Sequence, residues 1–305
     1  MKINRGILYG IGAYTLWGLL PIYWKALQQV PALEILANRM VWSLAFVVAL
    51  LVIRRHWSWL WPALGNQRIM LTYLATSSLL AINWLTYIWG VNAGFIIETS
   101  LGYFINPLLN VLLGVIFLRE RLRIGQFLAL CLAAGGVVYL TVVYGAFPWI
   151  ALTLALTFGF YGLLRKTGSL DSTESLTLET AVYFLPAMSY MLYLNANNAG
   201  SFANSDPQTT LLLVGTGIVT GIPLLLFGAA ARRITMTNLG LLQYIAPTMQ
   251  FLLGVFIYNE AFNRDQLAGF ALIWSALIVY SMEGLRHNRS EKDTAALNEA
   301  PVAID

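Results

Sequence analysis

Long stretches without charged residues alternate along this chain with short stretches that carry Arg, Lys, Asp or Glu. Uncharged runs of about 20 residues are typical of helices that cross a membrane, because in lipid the backbone has to satisfy its own hydrogen bonds. The pattern predicts about ten transmembrane helices. The predicted spans are residues 6–24, 33–53, 69–90, 97–118, 124–142, 148–164, 177–195, 208–231, 235–258 and 266–283.

A set of residues recurs in the second half of the chain, 140 positions after its first occurrence. The two copies are Pro107, Leu112, Leu113, Gly114, Val115, Glu120, Gln126 and Pro247, Leu252, Leu253, Gly254, Val255, Glu260, Gln266. The period spans five predicted helices, an odd number, so the two copies enter the membrane in opposite orientations. We therefore predict an all-α membrane protein with two inverted five-helix repeats, residues 1–143 and 144–285. Residues 286–305 are polar and predict a disordered cytoplasmic tail.

Composition and charge support this interpretation. Only 10% of the 305 residues are charged, against roughly 25% in soluble domains. If the N-terminus is cytoplasmic, all but Lys25, Arg39 and Arg264 of the 18 Lys and Arg residues lie on the cytoplasmic side, as the positive-inside rule requires. We expect a multi-pass protein of the lipid bilayer with both termini cytoplasmic. The basic residues lie in short loops, so the net charge of +4 does not indicate nucleic-acid binding.

Several chemistries have no motif in this sequence. There is no Gly-rich phosphate loop of the Walker type, so we expect no ATP hydrolysis by the chain itself. His56, His287 and Cys131 stand apart from any carboxylate cluster with metal-site spacing. We expect no enzymatic activity, no cofactor and no metal site.

A polar face on the fourth predicted span has counterparts in the second half. Tyr103, Asn106 and Asn110 lie on one helical face, and at the offset of 140 Tyr103 corresponds to Gln243 and Asn110 to Gln250. Amides are costly in hydrocarbon, so this face should point at protein or water. One interpretation is a substrate cavity lined from both halves, and the other is ordinary hydrogen bonding between helices.

Arg39 is the most unusual charged residue, because it lies roughly 9 Å into the second predicted span. It could attract an anionic or zwitterionic substrate, or couple to Glu98 as an outer gate. Alternatively, it extends to the interface beside Glu34. Its repeat counterpart is Glu179, which we expect toward the opposite face, too far for an ion pair. Glu98 and Glu179 are also candidates for proton coupling, with plain interfacial carboxylates as the alternative.

Two further groups are candidates for function. Asn83, Trp84 and Tyr87 form a polar and aromatic face on the third predicted span, which could stack against a solute or simply pack. Pro21 and Pro223 interrupt helical hydrogen bonding, and could serve as hinges or as fixed kinks.

Several segments resemble a known transporter family. Trp17-Gly18, Arg39 and the duplicated Pro-Gly-Glu-Gln pattern resemble the EamA-type branch of the drug/metabolite transporter superfamily. Residues 14–25, 82–89 and 99–108 resemble its RarD subgroup, whose members are often labelled chloramphenicol-sensitive protein. The resemblance extends to about residue 285. One departure is that the second half has Glu179 where the first has Arg39, so the family arginine cannot be assigned to both halves.

The resemblance implies a ten-helix permease of a bacterial inner (plasma) membrane. Such proteins export a small organic solute, such as an amino acid, metabolite or drug, by alternating access and without hydrolysing ATP. The expected partners are a small-molecule substrate and the bilayer, and a homodimer is compatible with the sequence. A non-transporting membrane sensor or assembly scaffold is the alternative. The substrate, the direction of transport and the coupling ion do not follow from the sequence.

Overall fold

The computed structural model describes most of the chain. The described residues are 4–93, 95–144, 147–202, 206–258, 267–269, 271–272, 274–276, 278–280 and 282–283. Every regular element that these residues form is an α-helix. Three of the predicted features, namely Glu260, Gln266 and the tail at 286–305, lie outside the described residues.

Eleven helices can be bounded. They are α1 (Arg5–Ala26), α2 (Ala32–Arg54), α3 (Leu60–Leu64), α4 (Gln67–Asn92), α5 (Ile96–Leu118), α6 (Ile124–Tyr144), α7 (Trp149–Thr167), α8 (Ser172–Ala196), α9 (Pro207–Ala231), α10 (Met236–Gln243) and α11 (Ile245–Phe256). Each of the first eight predicted spans falls on one long helix. The short α3 was not predicted, and the tenth predicted span falls on the partly described stretch after residue 267.

The helices differ in how well they suit a membrane. By length and hydropathy, four stretches of the described chain are able to cross one: Arg5–Ala26, Ala32–Arg54, Gln67–Tyr87 and Pro207–Ala231. Shorter apolar helical stretches lie at Gly102–Leu118, Ile124–Tyr139 and Leu267–Tyr280. The chain is therefore helical with several candidate spans, and the count of ten remains a prediction.

The prediction of one continuous helix over residues 235–258 is wrong, because α10 and α11 meet at Tyr244. Pro247 has no N–H to donate to the carbonyl of Gln243, four residues earlier, and its ring crowds that carbonyl. The N–H of Tyr244 instead bonds to Leu241 O at 3.4 Å, three residues back, which tightens the turn. Pro107 occupies the equivalent position in α5, yet α5 runs on without a break.

The helices group into two compact units. One lies within Met1–Glu120 and Pro148–Ala261, and is called the main unit below; the other lies within Arg121–Phe147 and Phe262–Asp305 and contains α6. The core of the main unit includes Tyr161 stacked on Phe227, with ring centroids 5.8 Å apart. Helices α2 and α9 touch closely, since a Cβ on Gly217 would lie 2.3 Å from the carbonyl carbon and oxygen of Trp42.

The duplicated Gly114 and Glu120 have a structural role that was not predicted from the sequence. The Glu120 carboxylate accepts hydrogen bonds from the N–H groups of Met236 and Thr237 at 2.7 and 3.0 Å, and from the Thr237 hydroxyl at 2.8 Å. A carboxylate at a helix N-terminus satisfies free N–H groups and favours the helix dipole. A Cβ on Gly114 would lie 2.7 Å from that carboxylate, so glycine leaves room for it. Glu120 therefore caps α10.

Candidate functional site

A cavity of about 300 Å³ lies inside the main unit, between helices from both halves of the sequence. This volume is at the lower end of the range for small-molecule sites. Most of the residues predicted to contact substrate line it: Arg39, Asn83, Trp84, Tyr87, Tyr103, Gln243 and Gln250. Pro21 also lines it, whereas Asn106 and Asn110 are buried beside it and do not.

Arg39 is held inside the cavity wall by aromatic rings and a hydroxyl group. Its Nε donates a hydrogen bond to Thr220 Oγ1 at 3.0 Å. The guanidinium carbon lies 4.2 Å from the ring centroid of Trp84 and 4.9 Å from that of Trp24. Both distances are within the range of cation–π attraction. Trp84, which the sequence left as either a solute contact or a packing residue, stacks on Arg39.

The predicted alternative of an Arg39 pairing with Glu34 is wrong. Glu34 is buried, and its Oε1 accepts hydrogen bonds from the backbone N–H groups of Ser201 and Phe202 at 2.6 and 2.9 Å. Among the side chains that the structure describes, no carboxylate forms an ion pair with Arg39. The side chain of Glu98 lies outside the described part, so an outer gate with Glu98 stays a prediction.

The polar residues of α5 and their counterparts in the second half include both cavity-lining residues and residues that form hydrogen bonds between helices. Asn110 Nδ2 donates to Gln243 Oε1 at 2.7 Å, which is a hydrogen bond between α5 and α10. Gln250 Nε2 donates to Trp17 O at 3.1 Å. That carbonyl is free to accept because Pro21, four residues later, has no N–H. Gln243 and Gln250 thus line the cavity and also link helices, whereas Asn110 only positions Gln243.

The side-chain amide of Asn83 forms hydrogen bonds to another helix. Its Nδ2 donates to Leu154 O and to Thr157 Oγ1, both at 2.9 Å, which links α4 to α7. Tyr87 and Tyr103 meet edge to face, with ring centroids 5.7 Å apart. This aromatic pair joins the polar-aromatic face of α4 to the polar face of α5 at the cavity wall.

Glu179 lies apart from the cavity, in a buried ion pair. Its Oε1 is 3.5 Å from Arg165 Nη1, and its Oε2 accepts a hydrogen bond from the Tyr161 hydroxyl at 3.2 Å. Arg165 was predicted in a cytoplasmic loop. It lies in the last turn of α7 with 3% of its surface exposed, because Glu179 offers it a partner. Glu179 thus pairs with Arg165 rather than with Arg39.

The proline candidates both lie within continuous helices. Pro21 is inside α1 at the cavity, and Pro223 is buried inside α9. Thr220 and Trp24, both of which hold Arg39, were not predicted from the sequence. The sequence signal for Thr220 was a polar hydroxyl in an apolar span, three positions before Pro223.

Known proteins resemble this chain over nearly its whole length. A profile of the EamA-like transporter family matches residues 4–142 and again residues 148–282. Protein RarD of Streptomyces exfoliatus is 48% identical over 95% of this chain and 92% of its own length. A protein of Vibrio cholerae described as an uncharacterized transporter is 47% identical over 93% of this chain and 94% of its own length.

A solved crystal structure shares the fold. It covers 92% of this chain and 98% of its own, with a TM-score of 0.71 and 21% identity. The apolar helices and the bacterial relatives together indicate a multi-pass membrane protein of the transporter type. The chain belongs to the EamA-like transporter family, in the RarD subgroup.

Proposed function

We propose that this protein is a secondary transporter, which moves a small organic solute through the cavity of the main unit by alternating access. The single observation that carries the proposal is the composition of the cavity wall. Tyr103 and Gln243 occupy equivalent positions in the two halves of the sequence, and both line the cavity. Transporters built from inverted repeats place their substrate between the repeats in this way.

The proposal includes the architecture predicted from the sequence. Ten spans form two inverted repeats, residues 1–143 and 144–285, with both termini cytoplasmic in a bacterial inner membrane. Export is the direction that the family resemblance implies. Asn83, Trp84, Tyr87, Tyr103, Gln243 and Gln250 are the proposed substrate contacts with Arg39, while Asn106 and Asn110 support them.

A charged residue in an apolar interior supports the assignment. Arg39 lies against Trp24 and Trp84 in the cavity wall. Placing an ionisable group inside a membrane protein costs about 2.5–3.5 kcal/mol or more, and such groups usually mark a substrate or ion path. A scaffold protein has no comparable need for this cation.

The test is counterflow uptake in proteoliposomes with labelled amino acids, small metabolites and chloramphenicol. Gln250→Leu removes the hydrogen bond to Trp17 O and a polar group of the wall, so we expect uptake to fall by about tenfold. Gln208→Leu is the matched control, because Gln208 is an exposed glutamine at the start of α9. It should transport normally.

Two outcomes would count against the proposal. Normal counterflow in both Gln250→Leu and Asn110→Leu would remove the cavity from the transport path. A folded protein without saturable flux, whose cellular activity disappears when residues 287–305 are deleted, would instead support a sensor or scaffold, since a permease should tolerate loss of a terminal segment.

A further inference from the structure

We propose that the solute bound in this cavity is an aromatic carboxylate of net negative charge, with Arg39 as the partner of its carboxylate. This inference rests on the proposed function and goes beyond it by naming the substrate class. Three features of the cavity support it: its charge, the donors that Arg39 leaves unused, and the aromatic wall.

Among its described lining residues, the cavity carries a positive charge without a negative one. Arg39 is the only charged residue among those that line it in the described part of the chain. An ion in a medium of low dielectric is stabilised mainly by an opposite charge and by hydrogen bonds. A solute anion would supply that charge. A cationic solute would meet Arg39 without any described carboxylate to offset the repulsion, and the ammonium group of a zwitterion would lack a carboxylate partner.

Within the described part of the chain, the guanidinium of Arg39 makes one hydrogen bond and keeps four N–H donors for a carboxylate. Of its five N–H donors, the one on Nε bonds to Thr220 Oγ1. The contacts with Trp24 and Trp84 involve the ring faces and use no N–H group. Arginine held by aromatic rings can still bind a carboxylate through two parallel hydrogen bonds, an arrangement that fits its planar fork.

The rest of the wall suits a flat, apolar body with a few polar groups. Trp17, Tyr87, Tyr103 and Phe158 all line the cavity, and aromatic faces favour aromatic partners. Tyr14 also lines it and is fully buried, yet its hydroxyl has no hydrogen-bond partner in the described part of the protein.

The experiment compares three solutes that share a phenylethyl body. Phenylpropionate is an anion, phenylalanine a zwitterion and phenethylamine a cation. Binding is followed by the tryptophan fluorescence of the purified protein, because Trp17, Trp24 and Trp84 line the cavity and phenyl compounds absorb at shorter wavelengths than indoles. We expect phenylpropionate to bind at least tenfold more tightly than either of the others, and to be taken up in counterflow.

Variants of Arg39 test whether this side chain causes the preference for phenylpropionate. Arg39→Gln should abolish the preference for phenylpropionate, and Arg39→Lys should retain part of it, because lysine keeps the charge but not the planar fork. Arg233→Gln is the control, since Arg233 is exposed and stacks on Tyr9, away from the cavity lining. The comparison of the three solutes on the unaltered protein needs no variant, so it stands if Arg39→Gln fails to fold.

The outcomes separate this inference from the proposed function. Tighter binding of phenylalanine or phenethylamine, or an equal preference in Arg39→Gln, overturns the carboxylate assignment while transport stands. The carboxylate assignment also fails, while transport stands, if a solute of the counterflow panel shows saturable flux and phenylpropionate neither binds nor competes with it. If no solute of either panel binds or moves, both proposals fail.

Discussion

The buried pair of Glu179 and Arg165 allows a test with a defined magnitude. Glu179→Gln keeps the size of the side chain and removes its charge. Arg165 would then be left with hydrogen bonds from Nη2 to Leu224 O and Ser172 O, at 3.4 and 3.5 Å. Both distances are long for such bonds, so these carbonyls compensate little for a buried charge.

Removing one partner of a buried ion pair costs about 3–5 kcal/mol, because the other charge is left without compensation. Here the closest atoms, Arg165 Nη1 and Glu179 Oε1, are 3.5 Å apart and form no hydrogen bond that satisfies the usual geometry. We therefore expect the lower end, about 3 kcal/mol. By the scaling for domains of 150–250 residues, this lowers the melting temperature by about 6–12 °C.

Thermal melting of the purified protein in detergent measures this loss, and a double-mutant cycle assigns it. Arg165→Met and Glu179→Leu should each destabilise the protein. The double variant should recover most of the loss, since an apolar pair of similar volume often replaces a buried ion pair at no net cost. The coupling energy from the cycle isolates the pair from other effects of each change.

If Glu179 served only in proton coupling, the expected results would be the opposite. Glu179→Gln would then melt like the unaltered protein, and would lose gradient-driven uptake while keeping counterflow. An unchanged melting temperature in Glu179→Gln, or a double variant that is as unstable as the sum of the single ones, would refute a stabilising role for the pair of Glu179 and Arg165.

Three further predictions concern stability, each measured by thermal melting. Glu120→Ala removes the acceptor of the Met236 and Thr237 N–H groups at the start of α10 and should cost about 1–3 kcal/mol; unchanged melting would contradict this role. Gly217→Ala should cost about 2 kcal/mol or more, because its Cβ meets α2 backbone at 2.3 Å. Gly135→Ala, whose Cβ meets nothing within 4 Å, should be tolerated, and equal losses would contradict the clash. Hydrogen bonds from the N–H and hydroxyl of Thr209 lower the pKa of Asp206. The contribution of Asp206 to stability is therefore present above the ordinary Asp pKa and is lost as the pH falls through the lowered one. Asp206→Asn should lack this acid-dependent step, and an identical pH profile would contradict it.

The helices were predictable from the sequence to within a few residues, because a charge in lipid is costly and charges therefore mark the ends of spans. The break at Tyr244 was not. Pro107 and Pro247 stand in the same repeated pattern, yet only the helix with Pro247 is interrupted. Whether a proline interrupts a helix depends on the partners that its neighbours find, and one sequence does not specify them.

The candidate site was predictable in part. Polar and aromatic residues in apolar spans are unusual, so Arg39, Gln243 and Gln250 could be identified by type and position. The contacts of Arg39 could not, since Thr220 lies 181 positions away. The spacing of residues within one helix does not predict contacts between residues so far apart in the sequence. For the same reason the sequence placed Glu120 only between two predicted spans, although its carboxylate binds the start of α10 in the other half of the chain.

The long sequence separation between two carboxylates and their hydrogen-bond donors affects how the protein folds during synthesis. Glu34 and Glu120 bind backbone groups that lie 167 and 116 positions later in the chain. At ribosomal rates of roughly 5–20 residues per second, each carboxylate waits on the order of ten seconds before its partner is synthesised. Residues 1–143 made alone would carry two carboxylates without these donors, and the N–H groups of Met236 and Thr237 would lack their carboxylate acceptor. Although one family profile matches both halves, neither is a self-sufficient unit in this chain, and membrane insertion has to protect the first until the second arrives.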